Sequence, residues 1–194
     1  MSKTSRDEIL NAARLNAQAH GYTGLNIRGL AGEVGIKAAS IYYHFPSKAE
    51  LGAAVARRYW EETARDLEMI REAAGDALSS LGRYPEIFRR SLEAGNRLCM
   101  GSFMSAEYDD LPEAVKVEVQ TFSDVNIDWL ATQLLEANIT TTQGSKLRAG
   151  AIFSAIAGAQ LMARSRNDIK LFDELIEGYK LAGLLPSTQN SMSE

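Results

Sequence analysis

Cysteine occurs once in the 194-residue chain, at Cys99, and histidine twice, at His20 and His44. A single thiol excludes an internal disulfide framework, and two histidines are too few for a histidine-rich metal site. No run approaches the ~20 consecutive apolar residues of a membrane span. The opening Met1-Ser2-Lys3-Thr4-Ser5-Arg6-Asp7-Glu8 lacks the apolar segment of a signal peptide, so the expected location is cytoplasmic, with no membrane partner. Paired His/carboxylate clusters, a Glu-x-x-His metal motif and a Gly-rich phosphate loop are all missing, which leaves no basis for an enzyme or a cofactor. The acidic pairs Glu61-Glu62 and Asp109-Asp110 do not change this, because helix neighbours point to different faces.

What is present is ordinary for a globular chain: 45% hydrophobic and 24% charged residues, enough for one large domain or two small ones. The net charge of −4 argues at first against a nucleic-acid partner. Its distribution reverses the argument. Residues 1–60 hold eight Lys/Arg (Lys3, Arg6, Arg14, Arg28, Lys37, Lys48, Arg57, Arg58) against four acids (Asp7, Glu8, Glu33, Glu50). The other 134 residues hold thirteen basic and twenty-one acidic residues. A basic head on an acidic body suggests that one end meets nucleic acid or an anionic surface.

Four prolines and fifteen glycines punctuate a chain that otherwise reads at helical spacing. Ser5-x-x-Glu8 is a capping box opening a helix that runs to His20, and Gly21 ends it. Asn26 caps a second helix over 27–34, closed by Gly35, and a third runs over 38–45 until Pro46 stops it. Ser47-x-x-Glu50 is another capping box, and Leu51, Val55, Tyr59, Leu67, Ile70 and Ala74 continue one apolar face for about seven turns. Further helices are expected over 84–98, 102–108, 112–137, 145–164 and 168–184. Val115 to Val119 alternates like a strand, but Pro112 suits a helix start and the stripe continues through Phe122 to Trp129 and Leu130. Without any Asn-Gly or Asp-Gly hairpin pair, the expected fold is all-α, about nine helices, with a polar tail over 186–194 expected to be disordered.

Gly35 between two short helices meets the requirement of a helix-turn-helix. The tight turn needs a residue without a β-carbon, and Leu30, Ala31, Ile36 and Ile41 fix the angle between the helices. Lys37, Ser40, Tyr43 and His44 then face outward from the third helix, able to reach a groove. The segment Gly21-Tyr22-x-x-Leu25-x-Ile27-x-x-Leu30-Ala31-x-x-x-Gly35-Ile36-x-x-Ala39-Ser40-Ile41-Tyr42-Tyr43-His44-Phe45-x-Ser47-Lys48-x-x-Leu51 closely resembles the N-terminal signature of the TetR/AcrR family of bacterial transcriptional regulators. The resemblance implies a helix-turn-helix DNA-binding head over 1–46 and a ligand-binding and dimerisation body over 47–194. It implies a homodimer that binds a palindromic double-stranded operator and releases it when a small-molecule effector enters the body. By position, Ser40, Tyr43, His44 and Lys37 lie at base edges or nearby phosphates, while Tyr42, Lys48 and Arg28 hold the phosphate backbone. Where the family usually has a Leu-Phe pair late in the first helix, this chain has Asn16-Ala17, a loss of apolar volume expected to soften the head unless packing compensates.

In the body, small residues from Ala149 to Ala159 and the apolar residues of the helix after them match, by resemblance, a four-helix dimer interface built by the last two helices and their symmetry mates. Trp60, Phe103, Phe122 and Trp129 are the candidate ligand contacts among the body's aromatic and sulfur side chains. The segment from Cys99 to Glu107 is similar in spacing to a cysteine segment in the N-ethylmaleimide-responsive branch of the family, which makes Cys99 a candidate electrophile sensor. That role requires a partly exposed thiol with its thiolate stabilised, by Arg97 or the helix start at Gly101-Ser102. The branch's lysine corresponds to Arg164 here. The competing class is a small-molecule-binding helical dimer without sequence-specific DNA binding.

Overall fold

The computed structural model describes residues 5–186, which form ten α-helices and one 3-10 turn, with no strand among them. These are α1 (Ser5–His20), α2 (Ile27–Val34), α3 (Ala38–His44), α4 (Lys48–Ala74), α5 (Ala77–Arg83), α6 (Glu86–Glu93) and α7 (Met100–Ala106), the 3-10 turn Tyr108–Asp110, then α8 (Glu113–Glu136), α9 (Thr142–Arg166) and α10 (Ile169–Leu181). The Ser5 side chain of the first capping box and the tail beyond Pro186 lie outside the described residues. No helix among the described residues is long and apolar enough to cross a membrane.

The chain divides into two compact units. One holds the residues to Glu61 together with Cys99–Ser123, and the other holds Glu62–Leu98 with the residues from Asp124 on. Packing therefore groups the helix-turn-helix with α7 and the start of α8, a different division from the one expected at residue 46.

In the first unit, α1 buries Ile9, Leu10, Ala13 and Ala17, and Leu25, Leu30, Ile41, Phe45, Leu51 and Val55 complete a small core. The alternating stretch at 115–119 is helical: Val115 and Val119 are buried four residues apart, while Val117 between them is half exposed. Asn16 and Ala17 stand where the resembled family usually has the Leu-Phe pair. The Asn16 amide donates to Glu33 Oε2 at 2.8 Å, a polar tie from α1 to α2, while the small Ala17 is fully buried.

In the second unit, the helix expected over 84–98 is shortened to Glu86–Glu93, and a separate short helix, α5, precedes it. Asp76 caps α5 by accepting from the Ser79 N–H at 2.8 Å. The next helix, α6, ends at Glu93 because Gly95 (φ 94°) and Asn96 (φ 54°) turn left-handed, and residues 95–98 leave the helix. The following helix starts at Met100 and stops at Ala106, two residues earlier at each end than the spacing over 102–108 indicates. The last two helices form a hairpin. Asn167 closes α9 in the left-handed conformation, and Asp168 caps α10 through the Lys170 N–H. Ala149, Ile152, Ile156, Ala159 and Ala163 of α9 and Phe172 and Ile176 of α10 are buried, and the Tyr179 hydroxyl donates to the Ala155 carbonyl at 3.1 Å.

Candidate nucleic-acid interface

Two caps build the helix-turn-helix. The Asn26 side chain accepts from the N–H groups of Arg28 (3.0 Å) and Gly29 (3.3 Å), satisfying two donors that the start of α2 leaves free. At the other end Gly35 adopts φ 76°, and the Ile36 N–H returns to the Ala31 carbonyl at 2.9 Å while the Gly35 N–H returns to Gly32. This paired return is the Schellman stop, and the left-handed residue in it strongly favours glycine. The turn seats α3 against α2 through buried Leu30, Ala31 and Ile41. Lys37 stands at the N-cap of α3 without a side-chain cap bond, which leaves its ammonium outside. The ring of Phe45, just past the end of α3, is buried under the Arg6 guanidinium, 5.2 Å from its centroid. Arg6 in this role was not singled out by the sequence, since the pairing joins residues far apart in the chain.

The outer face of α3 is polar and aromatic. Tyr43 is 85% exposed and Tyr42 51% exposed, unusual for tyrosines in a folded chain, and His44 packs edge-on against Tyr43 at 5.2 Å. Arg28 and Lys37 are exposed, and Ser40 and His44 are half-buried. Helix α3 and its entry thus present one cation, two phenols, a hydroxyl and an imidazole, and α2 adds the Arg28 cation, a set able to donate to phosphates and read base edges.

Lys48, the first residue of α4, lies beside the turn that joins α1 to α2. Its Nζ sits 4.6 Å from the Tyr22 ring centroid and donates to the Thr23 carbonyl at 3.3 Å. The cation is thereby positioned at a helix N-terminus whose free N–H groups and dipole already attract an anion.

The five candidate ligand and sensor residues divide between the two units. Trp60, Cys99, Phe103 and Phe122 belong to the first unit and Trp129 to the second. Trp60 donates its indole N–H to Glu118 Oε2 at 2.8 Å, and Arg57 donates to Glu118 Oε1 at 3.0 Å from Nε, so Trp60 ties α4 to α8. Burial, which leaves Glu118 5% exposed, pushes its carboxyl upward, but the bonds from Arg57 and Trp60 and the Arg57 charge outweigh it and hold the group below the usual range. Phe122 is buried against Tyr59, with ring centroids 5.5 Å apart, and packs where Gly101 has no side chain. Cys99 is 3% exposed. Desolvation pushes its thiol up, and the N–H groups of Ser102 and Gly101 and the Tyr59 hydroxyl only partly offset this. The thiol is thus buried and shifted upward, whereas a sensor requires partial exposure and a stabilised thiolate.

In the second unit Trp129 stacks on Tyr84 at 5.8 Å, and Tyr84 donates to the Asn126 amide oxygen at 2.9 Å. Asn126, Trp129 and Gln133 recur at spacings of three and four residues along α8 and so share a face. Trp129 Nε1 and Gln133 Oε1 are buried without a hydrogen-bond partner among the described residues, a donor and an acceptor one turn apart. Asn126 and Gln133 were missed by sequence reasoning, because α8 carries many polar residues and nothing local marks these two as the buried ones.

Comparisons with known proteins agree with this geometry. Residues 9–55 match the family model described as bacterial regulatory proteins, tetR family. The HTH-type transcriptional repressor AcnR of Corynebacterium glutamicum is 33% identical over 146 residues, covering 67% of this chain and 76% of AcnR. Among solved structures, a TetR transcriptional regulator from Legionella pneumophila superposes with a TM-score of 0.86 at 27% identity, covering 94% of this chain and 98% of the other. The reduced form of NemR from E. coli shares the fold at 20% identity, with a TM-score of 0.79 over 91% of this chain and 95% of NemR. With the helix-turn-helix in place and a relative matched over most of its length, the chain belongs to the tetR family of bacterial regulatory proteins, DNA-binding transcriptional regulators rather than enzymes.

Proposed function

We propose that this regulator is a cytoplasmic repressor which binds a palindromic operator as a homodimer and leaves it when a small molecule occupies the body. The observation that carries the reading is the exposed face of α3, with Tyr42 and Tyr43 presented to solvent beside Lys37, Arg28 and Lys48. In this reading residues 1–46 are the DNA-binding head and 47–194 the ligand-binding and dimerisation body. Ser40, Tyr43 and His44 read or approach base edges, with Lys37 beside them, and Tyr42, Arg28 and Lys48 hold phosphates.

A second copy is the occupant that fits the outer face of α9. Leu147, Ala151, Ser154, Gly158, Leu161 and Ser165 are exposed at alternating spacings of four and three, without a charge among them, and α10 adds exposed Gly178 and Leu181. The opposite side of α9 is already buried within its own unit, and a helix apolar or small on both sides is one covered on both sides. Pairing α9 and α10 with their symmetry mates supplies two heads for half-sites about 34–36 Å apart.

Support for an effector comes from the unpartnered Trp129 N–H and Gln133 carbonyl, since buried polar groups in native proteins nearly always find a partner. The buried Cys99 favours non-covalent release over thiol modification. DNase footprinting on the DNA upstream of the protein's own gene tests the reading. Two protected half-sites related by a two-fold axis are expected, and protection lost in Tyr42→Phe/Lys48→Ala supports it. Uniform weak protection of every fragment would instead favour a ligand-binding dimer without sequence-specific DNA binding.

A further inference from the structure

We propose that Glu107 is the positioning residue through which α7 sets the pose of the DNA-binding head, an inference that rests on the operator-binding reading above. Glu107 caps the C-terminal end of α7, yet both its carboxylate oxygens are spent on the turn between α1 and α2. Oε2 accepts the Tyr22 backbone N–H at 2.6 Å, and Oε1 accepts the Thr23 hydroxyl at 2.8 Å. The turn is shaped around this carboxylate. Gly21 holds φ 67°, and a β-carbon there would collide with the Glu107 carboxylate, so a glycine both permits the backbone and makes room for the acid.

The gripped turn leads directly to the DNA-facing residues. Lys48 lies over the Tyr22 ring and donates to the Thr23 carbonyl, so the phosphate-facing cation is anchored to the same two residues that Glu107 holds. The Leu25 N–H returns to the Tyr22 carbonyl at 3.1 Å, and Asn26, the cap of α2, comes next in the chain. On the far side, α7 cannot shift alone: Met100 and Met104 are buried, and Gly101 is filled by the Phe122 ring. A displacement of α7 by a few tenths of an ångström lengthens one or both bonds from Glu107 and frees the turn that carries Lys48 and starts α2.

Coulomb's law alone gives the opposite expectation. An acid beside a head that binds phosphates opposes binding, so removing its charge should tighten every duplex. Positioning predicts weaker binding, and only where the head must dock in register.

The test measures wild type, Glu107→Gln, Glu107→Ala and Thr23→Val by fluorescence anisotropy on the footprinted operator and on a scrambled duplex, with hydrogen exchange over residues 21–52. Loss of about tenfold in operator affinity is expected for Glu107→Ala, as for a charge-assisted hydrogen bond, with a smaller loss for Thr23→Val and unchanged or tighter binding to the scrambled duplex. Exchange should quicken at Tyr22, through α2 and in the first turn of α4. Operator binding equal to or tighter than wild type in Glu107→Ala, or equal losses on both duplexes, overturns the proposal. Should the wild type fail to distinguish the duplexes, the operator reading fails, and exchange decides the positioning role separately. Faster exchange through α2 and the start of α4 then supports it, and exchange raised at Tyr22 alone or nowhere overturns it.

Discussion

At the scale of single residues, the two positions that stand out are a glycine and a cysteine. Gly21 combines a left-handed backbone with a carboxylate in the space of its missing side chain. Gly21→Ala should therefore lower stability by roughly 1–3 kcal/mol, read as a lower midpoint in thermal or urea unfolding, whereas Gly35, whose surroundings are open, should lose only the conformational part, about 1 kcal/mol. Cys99 is the single thiol, and its burial predicts that maleimide labels the native protein more slowly than the guanidinium-unfolded chain by a factor on the order of 100 or more. Equal labelling rates would show that the thiol opens readily to solvent and would return it to consideration as a sensor.

At the scale of elements, caps and buried polar ties decide which helices hold. Asn26→Ala removes the acceptor for two N–H groups at the start of α2 and should cost about 1 kcal/mol, with amide exchange in α2 quickening first. Glu118 ties α4 to α8 and is held below the usual carboxylate range when folded. The unfolded chain therefore takes up its proton at higher pH than the folded one does. The stability Glu118 contributes is full above the ordinary glutamate value of about 4.3 and is lost as pH falls through the depressed folded value. Urea unfolding of Glu118→Gln should accordingly show a smaller loss of stability on acidification than wild type; identical acid profiles would show that the tie contributes nothing.

The same scale shows what could be read in the sequence. The first four helices were legible because capping residues, Gly35 and Pro46 are local signals that act on their own neighbours. The break at Gly95-Asn96 was not, because apolar residues at helical spacing on both sides carried the reading across it, and α5 was missed because its seven residues offer too short a stripe. The outward face of α3 followed from spacing, but the ties of Arg6 to Phe45, of Trp60 to Glu118 and of Glu107 to Tyr22 join residues 39 to 85 positions apart, and no local pattern encodes them. The carboxylate partner of Trp60 was hidden for the same reason: an aromatic in a body of aromatics carries no mark of the acid to which its indole donates.

At the scale of the whole molecule, the proposed reading of a palindromic operator takes two copies of the chain. Gly158→Glu places a charge in the middle of the uncharged α9 stripe without touching the head, and analytical ultracentrifugation should find it monomeric where wild type is dimeric. Operator affinity should fall with it, because one head alone reads only one half-site. Whether the basic head of an acidic protein reads a specific duplex is decided by fluorescence anisotropy on the upstream operator and a scrambled duplex of equal length across a salt titration. Operator binding at least ~1,000-fold tighter than scrambled, falling steeply with salt, is expected, with a slope shallower by about one for Lys48→Ala. Equal, weak affinity for both duplexes with no change in Lys48→Ala would contradict that reading.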